Sequence, residues 1–146
     1  MDIKSDREIR EMSSTKKPLS EMDVLVVDDE ADICTMVKYA LQSLGVHKVH
    51  IAGNGRDAWN IYYESKGRFD MIVSDWIMPE ISGLDFLKRV RERNQSVPFV
   101  MLTSKGERDD VAAAAQNGVT GYIGKPFTLQ GFQKHIRKIA GTAGYA

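Results

Sequence analysis

Short apolar runs alternate along the chain with longer segments in which apolar residues recur every three or four positions. The runs occupy residues 24–27, 49–52, 69–74, 99–102 and 120–123. Most are rich in β-branched residues and are too short for a buried helix, so they predict five strands, of which the last is the weakest. The first run ends at Asp28 and the third at Asp75.

The segments between the runs have helical spacing. In the first segment Ile33, Val37, Leu41 and Leu44 are four, four and three residues apart, which places them on one helical face. Helix starts are predicted from residues of the capping type, and a fourth helix is predicted over residues 107–117. The predicted capping residues are Asn54 with Asp57, Ser82 with Asp85, and Thr128.

Five strands that alternate with helices predict an α/β protein with a doubly wound (βα)5 arrangement. Alternation of this kind favours a parallel sheet with helices on both faces. Right-handed crossovers leave few possible topologies. Ligands of such sheets bind outside the carboxyl ends of the strands, so polar residues at those ends are the candidate site.

Polar side chains follow four of the predicted strands. They are Asp28 and Asp29 after the first strand, Asp75 after the third, Thr103 after the fourth and Lys125 after the fifth. Three neighbouring carboxylates repel one another unless a cation lies among them, and Mg²⁺ prefers oxygen ligands of this kind. Lys125 offers a positive charge and Thr103 a hydroxyl donor for an anionic group. The set therefore indicates phosphoryl transfer to the Asp75 carboxylate.

Composition limits the function classes. The 146 residues fit one domain, and the formal net charge is zero, which favours neither nucleic acid nor a membrane surface as a partner. A single cysteine, no apolar run of about 20 residues and no signal-peptide pattern predict a cytoplasmic protein without membrane insertion. Residues 1–21, which are rich in charges of both signs, are predicted to form a flexible or loosely helical extension of a domain over residues 22–146.

Four motifs in register carry a family resemblance. They are VVDD at 26–29, SDWIMP at 74–79, LTS at 102–104 and YIGKPFT at 122–128. Together they resemble a two-component response-regulator receiver domain, with the greatest similarity to single-domain CheY-like chemotaxis regulators. The resemblance covers about residues 22–140 and implies the flavodoxin-like strand order 2-1-3-4-5.

The resemblance implies specific roles at the candidate site. Asp75 would accept a phosphoryl group from a sensor histidine kinase. Asp29, Asp75 and the backbone carbonyl of Ile77 would bind Mg²⁺ directly, and Asp28 would act mostly through a coordinated water. In the same family pattern Thr103 and Lys125 hold the phosphoryl oxygens.

The resemblance also implies a switch and a set of partners. Tyr122 would follow Thr103 inward on phosphorylation, and the Lys125–Pro126 peptide bond would be cis. The upstream partner would be a CheA-like or hybrid sensor kinase. The downstream protein would bind the face formed by the fourth helix, the fifth strand and the fifth helix of a monomer. The chain would be a stand-alone signalling protein, not an enzyme, that assists only its own phosphotransfer and autodephosphorylation.

Alternative functions use the same residues. A phosphorelay shuttle or a phosphate sink would need no other site than a chemotaxis regulator does. A haloacid-dehalogenase-type phosphatase is disfavoured because its nucleophile follows the first strand and precedes a second Asp by two residues. A flavin-binding relative is disfavoured because the acids at residues 28–30 would repel a phosphate, and the complete set of acids, Thr and Lys argues against a pseudo-receiver.

Two positions depart from the family pattern. Ile77 and Lys105 stand where CheY-type proteins often carry a polar and an acidic residue, respectively. Both positions flank the path by which water would reach a phosphoryl group on Asp75. We hypothesise that the bulky Ile77 side chain slows dephosphorylation and lengthens the signal.

Overall fold

Five parallel strands form a single sheet in the order β2-β1-β3-β4-β5. The computed structural model describes residues 16–104 and 111–146. The strands are β1 Asp23–Val27, β2 Lys48–Ala52, β3 Met71–Asp75, β4 Phe99–Thr103 and β5 Gly121–Gly124. The predicted α/β class, the doubly wound arrangement and the strand order are confirmed.

Helices cover both faces of this sheet. They are α1 Ala31–Ser43, α2 Gly55–Glu64, α3 Gly83–Arg93, α4 Val111–Gln116 and α5 Leu129–Thr142. The start predicted for the fourth helix, residue 107, lies outside the described residues. Over residues 16–104 and 111–146, no helix is both long enough and apolar enough to cross a bilayer.

Side-chain caps fix three of the helix starts. The backbone amide of Asp57 donates to Asn54 Oδ1 at 2.8 Å, and that of Asp85 donates to Ser82 Oγ at 3.1 Å. Thr128 Oγ1 accepts in the same way at the start of α5. Each cap satisfies one of the free backbone amides in the first turn of its helix. These local pairs therefore determine the residue at which each helix begins.

The sheet separates two hydrophobic cores. Val24 and Val26 pack on one face with α1 and α5, and Leu25 and Val27 pack on the other with α2, α3 and α4. Successive residues of a strand point to opposite faces, so a strand buried on both sides is apolar throughout. This explains why the first run has no polar position until Asp28.

The third strand begins two residues later than the sequence predicts. Phe69 lies before the strand, where its buried ring meets the His50 ring edge-on at a centroid distance of 5.3 Å. Asp70 occupies the next position, and its carboxylate accepts a hydrogen bond from the Asp23 amide at 2.8 Å. The Asp70 carboxylate therefore takes the place of a backbone acceptor beside β1. The backbone hydrogen bonds of the sheet begin later than the apolar pattern predicts.

The two ends of the described chain lie against each other. The Lys17 amide donates to the Gly144 carbonyl at 2.8 Å, and the Ala146 amide donates to the Lys17 carbonyl at 2.9 Å. Leu19 lies in a short 3-10 turn, Leu19–Glu21, and packs on the core of the α1 and α5 face. Residues 1–15 of the predicted extension lie outside the described residues, and the boundary at residue 22 stays a prediction.

Candidate functional site

Parallel register brings the polar strand ends to one edge of the sheet. Val27 pairs with Ser74, Asp75 with Leu102, and Thr103 with Gly124. The residues that continue beyond these pairs are therefore neighbours at the carboxyl edge, although up to 97 positions separate them in the sequence. This is the edge at which doubly wound sheets bind ligands.

Three carboxylates form the centre of the site. Carboxylate oxygens of Asp28, Asp29 and Asp75 all lie within 4.8 Å of one another. Asp28 and Asp75 are only 1% and 6% exposed, whereas Asp29 is open to solvent. Oxygen ligands that converge in this way, with one side open, match the preference of a hard divalent cation that keeps some of its waters.

Lys125 connects the two buried acids. Its Nζ lies 2.9 Å from Asp28 Oδ2 and 3.2 Å from Asp75 Oδ1. The backbone amide of Lys125 donates to the Thr103 carbonyl at 2.6 Å, and the peptide bond to Pro126 is cis. Burial alone would lower the pKa of Lys125, but the hydrogen bond to Asp28 and the charges of both acids raise it above its ordinary value. The ammonium is therefore charged at neutral pH.

The Asp75 carboxyl titrates far from its ordinary range. Burial is the main cause, and repulsion from Asp28 adds to it, so that the pKa rises from 3.8 to about 6. Lys125 and the Trp76 amide, which donates to Asp75 Oδ1 at 2.8 Å, oppose the rise without cancelling it. The site therefore holds its central carboxylate at a cost in free energy that a nearby cation would reduce.

Three hydrogen bonds to acceptor atoms of Asp28, including the one from Lys125, position this residue. Its Oδ1 accepts from the Glu30 amide at 2.9 Å, and its Oδ2 accepts from Lys125. The Cys34 thiol donates to its backbone carbonyl at 3.3 Å. Both carboxylate oxygens and the carbonyl are thus occupied within the chain, which orients Asp28 before any ligand arrives.

The remaining described candidate residues lie in β4, in β5 and in the loop after β3. Thr103, the last residue of β4, is half-buried, and Tyr122 in β5 donates its hydroxyl to the Val111 carbonyl at 2.9 Å. The side chain of Ile77 is 64% exposed beside the site. Lys105, the second departure from the family pattern, lies outside the described residues.

Comparison with known proteins identifies the family. The family model described as response regulator receiver domain matches residues 24–137. The chain belongs to the response-regulator receiver family. This confirms the resemblance that the four sequence motifs carry, and it makes the protein a member of a family of two-component signalling proteins.

Similar receiver proteins include several chemotaxis proteins. Chemotaxis protein CheY of Pseudomonas aeruginosa is 39% identical over 120 residues, which cover 81% of this chain and 95% of that protein. Chemotaxis protein CheY1 of Helicobacter pylori is 36% identical, over 83% of this chain and 98% of that protein. Among solved structures, the chemotaxis response regulator CheY4 of Vibrio cholerae superposes with a TM-score of 0.72 at 34% identity, over 81% of this chain and 98% of its own.

Sequence reasoning missed one residue that shapes this receiver site. Gly83 donates its amide to the Trp76 carbonyl at 2.7 Å, and a Cβ at this position would overlap the carbonyl oxygen of Asp75. The close approach fixes the loop that follows Asp75 against the start of α3. The available signal was a glycine within the first turn of a helix, a position where its flexibility is otherwise unfavourable.

Proposed function

We propose that Asp75 is the phosphoacceptor of this receiver domain and takes its phosphoryl group from a sensor histidine kinase. The observation that carries the proposal is the Lys125 ammonium, which lies between Asp75 and Asp28 at 3.2 and 2.9 Å. A buried carboxylate beside a fixed ammonium and two further acids has no simpler structural explanation, because burial of like charges destabilises the fold.

The transfer needs no general base. A carboxylate oxygen of Asp75 attacks the phosphorus of a kinase phosphohistidine, an O–P bond forms, and the P–N bond breaks. The electron pair of that bond stays on the ring nitrogen, and the proton already carried by the other ring nitrogen makes the departing imidazole neutral. Lys125 and the Thr103 hydroxyl bind the phosphoryl oxygens as charge redistributes over them. Preorganised donors of this kind stabilise the transition state with little reorganisation.

Mg²⁺ is the cofactor that the donor set fits. Asp29, Asp75 and the Ile77 carbonyl would hold it, with Asp28 acting through a bound water. The chemistry of the set supports this assignment because carboxylate and carbonyl oxygens select hard cations. When bound, the cation would neutralise charge on Asp75 and on the incoming phosphoryl group.

We further propose that phosphorylation is reported through Thr103 and Tyr122 to the face formed by α4, β5 and α5. The hydroxyl of Tyr122 joins β5 to the first described turn of α4 by its bond to the Val111 carbonyl. Movement of Thr103 toward a phosphoryl oxygen would open space for the Tyr122 ring and break that bond. A partner protein on this face would then bind with a changed affinity.

The names of similar proteins support a proposal about the upstream and downstream partner proteins. Several similar proteins are named as chemotaxis proteins. A chemotaxis or flagellar-motor target and a CheA-like kinase are accordingly the proposed partners, with a phosphorelay shuttle or phosphate sink as the alternative. Phosphotransfer from the labelled protein to a second histidine-containing protein would favour the shuttle.

A small-molecule phosphodonor tests the core of the proposal. Incubation with acetyl phosphate and Mg²⁺ should add one phosphoryl group by mass spectrometry, and EDTA should prevent it. Asp75→Asn should abolish the modification, whereas Asp85→Asn, a change at an exposed acid in the first turn of α3, should leave it intact. Equal phosphorylation of the two variants would refute the assignment of Asp75.

A further inference from the structure

A cavity lies between the carboxyl-terminal ends of α2 and α3, and none of its lining residues belongs to the acidic site. Its volume is about 530 Å³, within the usual range for small-molecule sites. Both helices end shortly before a strand begins, so the cavity is near the amino edge of the sheet. Tyr62 and Tyr63 form aromatic parts of its wall, and neither residue takes part in the phosphoryl chemistry proposed above.

An arginine is held in place on this aromatic wall. The Arg93 guanidinium carbon lies 4.6 Å from the centre of the Tyr63 ring and 5.6 Å from that of Trp59. Within residues 16–104 and 111–146, Arg93 forms no ion pair. A guanidinium stacked on rings keeps its N–H edge available and is preorganised to bind a carboxylate or phosphate with two hydrogen bonds.

Several other polar groups around the cavity are donors, although the Glu64 carboxylate on its wall is an acceptor. The carbonyls of the last turn of α2 already accept bonds from the amides of residues 65, 66 and 67. Asn94 Oδ1 accepts from the Ser96 and Val97 amides at 2.9 and 3.0 Å, and its amide nitrogen has no partner in the described part of the chain. The donors at Arg93 and Asn94 favour an occupant that supplies acceptors.

A buried hydroxyl points to the same conclusion. Tyr62 is 1% exposed, and its hydroxyl has no hydrogen-bond partner among the described residues. The hydroxyl lies beside Gly67, where an added Cβ would be 3.4 Å away. An unpartnered buried donor destabilises the folded protein, and an acceptor atom of a ligand would offset this destabilisation.

The turn that borders the cavity adopts an unusual conformation. Lys66 has a φ of 57° and Gly67 a φ of 73°, so two consecutive residues are left-handed. This region is uncommon for a residue with a side chain, and such conformations concentrate at binding sites. Among the described residues that line the cavity, Lys66 and Arg93 carry positive charge and only Glu64 carries negative charge.

We propose that this cavity binds a small aromatic anion, with a planar ring against the Tyr63 wall and a carboxylate or phosphate on Arg93 and Asn94. The Tyr63 side of the cavity favours a planar ring. The donors of Arg93 and Asn94 and the positive charge of Lys66 and Arg93 favour an anionic group. The Tyr62 hydroxyl, which has no hydrogen-bond partner among the described residues, provides the third point of recognition.

A titration of the whole chain followed by ¹⁵N NMR tests the proposal. Phenyl phosphate and 4-hydroxybenzoate serve as probes, and inorganic phosphate and benzyl alcohol serve as controls, all without Mg²⁺ so that the acidic site takes no part. At least one aromatic anion should bind saturably and shift the Gly67 and Asn94 amides. The anion that binds identifies the charged group as phosphate or carboxylate. Absence of saturable binding by both at millimolar concentration, or equal binding of inorganic phosphate, would overturn the proposal.

Two test variants and one control variant distinguish a loss of ligand binding from a loss of folding. Arg93→Gln should weaken binding by about tenfold or more, whereas Arg137→Gln, at an exposed arginine of α5, should not change it. Tyr62→Phe should also weaken binding, but without lowering the free energy of unfolding, because the hydroxyl has no partner to lose. Unchanged affinity in both Arg93→Gln and Tyr62→Phe, or equal weakening by Arg137→Gln, would contradict the assignment.

Discussion

The Asp75 carboxylate should destabilise the metal-free protein, and the effect should depend on pH. Its pKa rises from 3.8 to about 6 in the folded state, mainly through burial and then through repulsion from Asp28. Between these pH values the folded protein holds a proton that the unfolded chain releases. Stability is therefore greatest below the unfolded pKa and falls as the pH rises through the folded pKa.

The magnitude follows from the same values. A rise from 3.8 to about 6 corresponds to about 3 kcal/mol at 1.36 kcal/mol for each pH unit. Asn has a nearly identical shape and carries no charge, while Lys125 keeps its 2.9 Å bond to Asp28. Asp75→Asn should therefore be more stable than the wild type by up to about 3 kcal/mol at pH 7.5, with a difference near zero at pH 4.

Urea unfolding followed by circular dichroism, in EDTA and at several pH values, measures this difference. Asp85→Asn provides the matched control because this carboxylate is exposed, and its stability should follow that of the wild type. Addition of Mg²⁺ should stabilise the wild type more than Asp75→Asn, since ligand binding to the folded state adds to its stability. A difference between wild type and Asp75→Asn that does not change from pH 4 to 7.5, or a less stable variant at pH 7.5, would refute the electrostatic reasoning.

Three further substitutions test other parts of the structure. Ile77→Asn should shorten the phosphoryl lifetime, because it replaces an exposed apolar side chain with one that admits water; equal lifetimes of the labelled proteins would contradict this. Gly83→Ala should lower the phosphorylation rate with acetyl phosphate, because its Cβ would overlap the backbone carbonyl oxygen of Asp75, the proposed phosphoacceptor. Tyr145→Phe should lower the free energy of unfolding by about 1.5–3 kcal/mol, because it removes the hydrogen bond between the buried Tyr145 hydroxyl and the Asp70 carboxylate, whereas Tyr39→Phe, at an exposed tyrosine, should have no effect. Unfolding curves for these two tyrosine variants that coincide would show that the Asp70 contact contributes nothing.

The fold and the convergence of the three carboxylates could be predicted from the sequence because both depend on local patterns. Buried parallel strands are apolar throughout, so a polar residue at the end of such a run marks the carboxyl edge of the sheet. Once the alternation with helices is recognised, Asp28, Asp75 and Lys125 must approach one another at that edge. The motifs around them then specify the family, and the family specifies the strand order.

Contacts between distant segments have no such signal. The overlap that a side chain at Gly83 would make with Asp75 depends on the path of the loop, and the pairing of Lys17 with Tyr145 joins residues near opposite ends of the chain. Neither is visible in apolar periodicity, which reports only the local face of a helix or strand. The stacking of Arg93 on Tyr63 is equally hidden, because it depends on how α2 and α3 pack together.

The charge balance of the site links binding of the proposed divalent cation to the proposed phosphorylation of Asp75. Three carboxylates and one ammonium leave two negative charges without compensation, and a divalent cation would supply this amount. A phosphoryl group on Asp75 would add further negative charge, so its retention would depend on both the proposed cation and Lys125. Because coupling between two ligands is reciprocal, the phosphoryl group must strengthen binding of the cation as much as the cation stabilises the phosphoryl group. The ammonium already lies at hydrogen-bond distance from Asp75, so this coupling requires little rearrangement on the Lys125 side of the site.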